Sequence, residues 1–112
     1  MKLIVAIVRP EKLRAVQAAV RASEASLISV SQVLDDGQDP GFTEIYRGRE
    51  IQVPRPKLRL EIAVNDSYVD AAVGAIVRAG CTDKAGQLGD GKVLVTQLDG
   101  CVPIRCLSGS HG

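Results

Sequence analysis

Two strand-helix-strand units divided by a long aperiodic stretch predict an α+β domain of ferredoxin-like architecture, an antiparallel sheet with both helices on one face. Three observations carry that prediction. The run Leu3 to Val8 is apolar at every position and stops at Arg9-Pro10; helical patterns occupy residues 13–23 and 69–80; and residues 57–64 alternate cleanly between apolar and polar. Such a fold leaves one sheet face bare. No further element of the chain is large enough to hide it, so self-association is expected.

The elements follow in order. Leu3 to Val8 is rich in β-branched residues and asks for cover on both faces. Pro10 suits a first helical turn and Glu11 its positive end, and Leu13, Val16 and Val20 recur at helical spacing through Ser23. Leu27 to Leu34 reads as a second strand, with serines on part of one face. Residues 35–56 then lose all periodicity, carrying Gly37, Pro40, Gly41, Gly48, Pro54 and Pro56. A connection that long in a compact domain is functional or unstructured. In the third strand Leu58, Leu60, Ile62 and Val64 share one face and Lys57, Arg59 and Glu61 the other. Asn65 or Asp66 caps a second helix with Val69, Val73, Ile76 and Val77 on one stripe, ending at Gly80. After a glycine-rich loop at residues 81–92 comes a fourth strand, Val93 to Leu98. Residues 99–112 are read as a short strand near Cys101 to Cys106 and a tail.

Composition excludes several function classes. The 112 residues fit one domain, 1–112, able to bury a single core without staples. Fourteen Lys and Arg against thirteen Asp and Glu leave a net charge of +1, and the aromatic residues are Phe42, Tyr46 and Tyr68. Neither bulk charge nor a stacking platform is available to recruit nucleic acid. The run 3–8 is too short for a signal-peptide core or a membrane span, so a cytoplasmic protein with no membrane insertion is expected.

The most suggestive stretch is Gly86 to Lys92, Gly-Gln-Leu-Gly-Asp-Gly-Lys, which leads straight into the apolar Val93, Leu94 and Val95. Glycines let backbone N–H groups approach an anion closely, and Lys92 adds a mobile point charge. Those are the ingredients of a phosphate cradle. The spacing is not the Walker pattern, which also requires a helix to follow. Taken alone, Asp90-Gly91 is more simply a hairpin turn.

Five stretches taken together resemble the PII-type signalling proteins over nearly the full length of the chain. They are Met1 to Ile4 with Ala6 to Pro10, Gly41 to Gly48, Pro56 to Ile62, Gly89 to Val93, and Ile104-Arg105. The resemblance implies a homotrimer that binds adenine nucleotides between neighbouring subunits and signals to a target protein through a long regulatory loop, here residues 35–56. It implies that Ile28, Ser29, Glu61 and Ala63 surround the adenine and that Gly37 meets the phosphates from one subunit. Gly89, Asp90, Gly91, Lys92 and Arg105 would complete the phosphate site from its neighbour. Polyphosphates need paired cations in any fold, which gives Lys92 and Arg105 an independent rationale.

The chain also departs from that family's pattern. Its closing strand usually carries two arginines one residue apart, whereas Pro103 stands at the first position and Arg105 alone remains. Loss of one cation weakens triphosphate binding by about tenfold, so ADP or AMP should compete well against ATP. The tyrosine that some members modify by uridylylation falls on Ile51, and the glutamine that assists 2-oxoglutarate is displaced, with Gln38 the nearest candidate. Cys101 and Cys106 form no Cys-x-x-Cys motif; they are read either as inert or as a redox pair, while Cys81 is read as a small buried residue. A terminal cysteine pair resembles the PII-like branch associated with bicarbonate uptake and carboxysomes. The leading expectation is therefore a non-catalytic regulator in inorganic-carbon metabolism, carboxysome-associated, with Gly41, Thr43, Arg47 and Arg59 as candidate bicarbonate contacts; Arg47 and Arg59 read equally as solvated charges. One alternative is a nitrogen-regulatory PII protein binding ATP and 2-oxoglutarate. The other is a small ferredoxin-like phosphohydrolase, disfavoured because no general base adjoins the glycine-rich turn and the sole histidine is His111. Clustered metal ligands are lacking, and no metal is expected.

Overall fold

In the computed structural model the described residues are 1–34, 42–82 and 90–106, the side chains of Phe42 and Gln52 excepted. Strand β1 (Lys2–Val8) leads through a 3-10 turn at Pro10–Lys12 into helix α1 (Leu13–Ala22) and strand β2 (Ser26–Leu34). A hairpin of β3 (Phe42–Tyr46) and β4 (Arg49–Val53) follows. Then come β5 (Pro56–Val64), a 3-10 turn at Asp66–Tyr68, helix α2 (Val69–Gly80) and β6 (Gly91–Gln97).

The main sheet runs β2-β5-β1-β6 with every neighbouring pair antiparallel, the ferredoxin-like order predicted from the periodic segments. Its uniformly apolar strand, β1, lies inside. Residues directly opposite share a face, so the pairings Ile4↔Ile62 and Ala6↔Leu60 put those four side chains together. They form the core with Val8, Val64, Val16 and Val20 of α1, and Ala72 and Ile76 of α2, so both helices cover the same face. On the opposite face Val5 pairs with Glu61 and Leu94, and Ile7 with Arg59 and Lys92. Val5 and Ile7 are nevertheless buried, at 7% and 8% exposure.

Four local expectations are corrected. The aperiodic stretch contains a hairpin, whose turn places Arg47 and Gly48 at φ 52° and 77°, the paired positive angles that match strand twist. Lys57 lies on the polar face of β5 yet is 1% exposed, so alternation alone does not place it in solvent. The α2 stripe consists of Val69, Ala72, Val73, Ile76 and Gly80, whereas Val77 is about half exposed at its margin. Neither Asn65 nor Asp66 caps α2 with a side chain: Asp66 pairs at 2.8 Å with the Met1 ammonium, a stronger partner than a neutral N–H.

Residues 98–106 have no regular secondary structure, so the strand expected near Cys101 to Cys106 is not formed in the single chain. A strand requires a neighbour's backbone to pair with. Val102 and Ile104 are almost fully exposed there. Among the described residues no helix is long and apolar enough to cross a membrane.

Candidate functional site

The glycine-rich stretch enters β6 through a contact that dictates its sequence. Val8↔Gly91 is the last rung between β1 and β6, and there Gly91 adopts φ 134°. A Cβ on Gly91 would lie 1.8 Å from the Ile7 carbonyl oxygen, so no other residue fits. One step beyond that rung Arg9 meets Asp90. The Arg9 Nε donates to Asp90 Oδ1 at 3.2 Å, while Asp90 Oδ2 accepts from the Thr82 N–H at 3.1 Å and the Thr82 hydroxyl at 3.3 Å. Burial pushes the Asp90 carboxyl up, but the Thr82 N–H, the Arg9 guanidinium and the Thr82 hydroxyl outweigh it and hold it below the usual range. Both oxygens of the Asp90 carboxylate thus have partners within the chain. Lys92 sits opposite Ile7 on the face away from the helices. A cavity of about 330 Å³ adjoins this turn, walled by Val73, Ile76, Val77 and Val93 and edged by Asp90, Gly91 and Lys92.

A second cluster lies at the other edge of the sheet. The ladder between β2 and β5 slips at Leu27/Ser29, which leaves Ile28 in a bulge, half exposed. The Ser29 hydroxyl donates to Glu61 Oε1 at 2.6 Å, and Arg59 lies 3.6 Å from the same oxygen. Ala63 continues the same face of β5, opposite Ser26. Ile28, Ser29, Glu61 and Ala63 are thus brought together on two neighbouring strands. Lys92 on β6 lies two strand spacings from Glu61 and Ala63 on β5 and three from Ile28 and Ser29 on β2, about 10 and 14 Å across one sheet. Within one chain they are the two ends of a surface, with Val5 and Ile7 between them.

Other expected members are not assembled. Gly37, Gly41 and Gly89 lie outside the described residues, as do Gln38 and His111. Arg105 is exposed in the tail, remote in secondary structure from the β6 turn. Of the bicarbonate candidates, Thr43 and Arg47 belong to the hairpin and Arg59 to the main sheet, and the Arg47 guanidinium sits over the Tyr46 ring at 5.4 Å. Cys81, Cys101 and Cys106 are free and exposed, which corrects the expectation of a buried Cys81; it follows the last turn of α2 and edges the cavity. Among the described residues no group of His, Cys, Asp and Glu is arranged to hold a metal. Reading by motif missed Arg9, Thr82 and the buried Lys57. The Arg9–Asp90 pair follows only from the β1–β6 register, which the sequence does not show, and Lys57 had no signal, since alternation assigns it to solvent.

The chain matches the family model described as nitrogen regulatory protein P-II over residues 1–107. It is 43% identical to nitrogen regulatory protein P-II 2 of Methanothermobacter thermautotrophicus, over 94% of this chain and 90% of that one. It is 44% identical to nitrogen regulatory protein P-II of Rhizobium etli, over 94% and 92%. With nitrogen regulatory protein GlnK1 of Methanosarcina mazei the identity is 37%, over 94% and 90%.

Proposed function

The chain belongs to the nitrogen regulatory protein P-II family, and from that premise we propose that it is a regulatory homotrimer that binds adenine nucleotides between neighbouring copies. One observation carries the reading. The candidate base-binding patch on β2 and β5 and the cation at the start of β6 lie on opposite sides of β1 in one sheet, on the face away from the helices. Packing of copies through that face would set one copy's Ser29 and Glu61 beside its neighbour's Gly91 and Lys92. The half-buried Ile28 and Leu94 would then be covered as well. Gly37 and Gly89 would add backbone donors and Arg105 a second cation, the tail pairing with a neighbour to which it has no access in the single chain. The hairpin of β3 and β4 would be the part that meets a target protein, since Ile45 and Tyr46 are exposed at its end.

Nitrogen regulation is the process we favour, because the similar proteins carry that name. The inorganic-carbon expectation has less behind it: the described bicarbonate candidates lie on two separate sheets, and Cys101 and Cys106 are free. Pro103 still argues that ADP or AMP competes with ATP. Calorimetry with AMP, ADP and magnesium-ATP, each with 2-oxoglutarate or with bicarbonate, tests the whole. We expect adenylates to bind, 2-oxoglutarate to bind when magnesium-ATP is present, and Lys92→Ala to lose most affinity while assembling normally. Normal adenylate binding by Lys92→Ala would remove the site assignment. Bicarbonate binding without a 2-oxoglutarate response would reinstate inorganic carbon.

A further inference from the structure

Resting on that reading, we infer that Arg9, Thr82 and Asp90 form a positioning clasp that sets Gly91 and Lys92 at the start of β6 for phosphate binding, and that Asp90 acts through its neighbours without touching the nucleotide. The chain leaves α2 at Gly80, and Thr82 and Asp90 bracket residues 83–89. Three donors on two separate segments converge on one carboxylate: Nε of Arg9, just past β1, and the N–H and hydroxyl of Thr82. The two oxygens are divided between them, Oδ1 to the arginine and Oδ2 to the threonine, so the carboxylate ties the loop's two ends to each other and to β1. Arg9 and Asp90 are 13% and 18% exposed, which shields the pair from solvent screening. The tie falls one residue before Gly91, whose backbone is wedged against Ile7, and two before Lys92. Fixing the chain just before Gly91 and Lys92 restricts the positions their donors can take, and anion binding rewards donors already aimed. The guanidinium also compensates a carboxylate that would otherwise repel a polyphosphate beside Lys92.

The sign of one substitution separates positioning from charge. Asp90→Asn removes a negative charge close to the site; were field strength all that mattered, ADP and ATP would bind more tightly. A clasp predicts the reverse, because the asparagine amide cannot accept at both ends. We expect Asp90→Asn and Arg9→Gln each to weaken ATP by about tenfold and AMP by less, since the loss grows with the phosphates held. The double variant should be no worse than either single one, as for two members of one contact. Thr82→Ser, which retains both donors, should bind as the wild type does, whereas Thr82→Val should not. Melting temperature and oligomeric state are measured on every variant, and a weakening equal for AMP and ATP would mark a merely structural role and overturn the inference. So would tighter ATP binding by Asp90→Asn. If the wild-type protein binds no adenylate, the proposed function fails instead.

Discussion

Gly91 is the residue on which the geometry of the candidate turn most depends. Its role is steric as well as conformational: the Ile7 carbonyl oxygen occupies the space of its missing side chain. Gly91→Ala must either break the last rung between β1 and β6 or tilt β6 away, at a cost of about 3 kcal/mol or more. Urea unfolding of the variant checks this, and a loss under about 1 kcal/mol would mean that the two backbones part easily. Sequence alone identified this glycine as one of a cluster suited to anions. What it could not reveal is which glycine is fixed by packing, because the contact is with a residue 84 positions earlier in the chain. The same limit hid the Arg9–Asp90 pair until the register was known. Lys57 illustrates the opposite failure: strict alternation assigns it to solvent, yet it is buried.

At the scale of elements, periodicity was informative wherever one side of a segment faces the core. β1, β5 and both helices have such a side, and their bounds agree with the sequence reading to within a residue or two at each end. β3 and β4 have none, since most of their described side chains are exposed, and without a buried side no alternation is selected. Their turn was hidden too, because Arg47-Gly48 lacks the Asn or Asp usual before glycine. Arg47 pays for the left-handed conformation and recovers part of the cost by stacking on Tyr46. Arg47→Asn should therefore hold the turn at least as well, stabilising the hairpin by up to about 1 kcal/mol. Amide hydrogen exchange across residues 42–53 would then slow by several-fold; faster exchange would show that the cation over the ring matters more than the backbone. The short strand expected near Cys101 to Cys106 has no partner strand in the single chain and is not formed there.

For the molecule as a whole, the sheet has two covered faces in different senses. Two helices cover most of one, leaving Val30 and Val95 partly exposed on the outer strands, while the other holds Val5 and Ile7 at its centre among charged side chains and exposed Leu94. That unevenness, not any single residue, is the reason to expect neighbours. It also explains why the candidate ligand residues look unrelated within one chain, since Glu61 and Lys92 lie on strands separated by β1. The most direct test is complementation in mixed assemblies. Lys92→Ala and Glu61→Ala subunits, each expected to bind ADP poorly when pure, are unfolded together, refolded as a mixture and titrated with ADP. A cleft shared by two copies predicts that about a quarter of the clefts pair two intact halves and regain wild-type affinity. If the mixture binds no better than the two pure variants, each copy carries its whole site and the shared cleft does not exist.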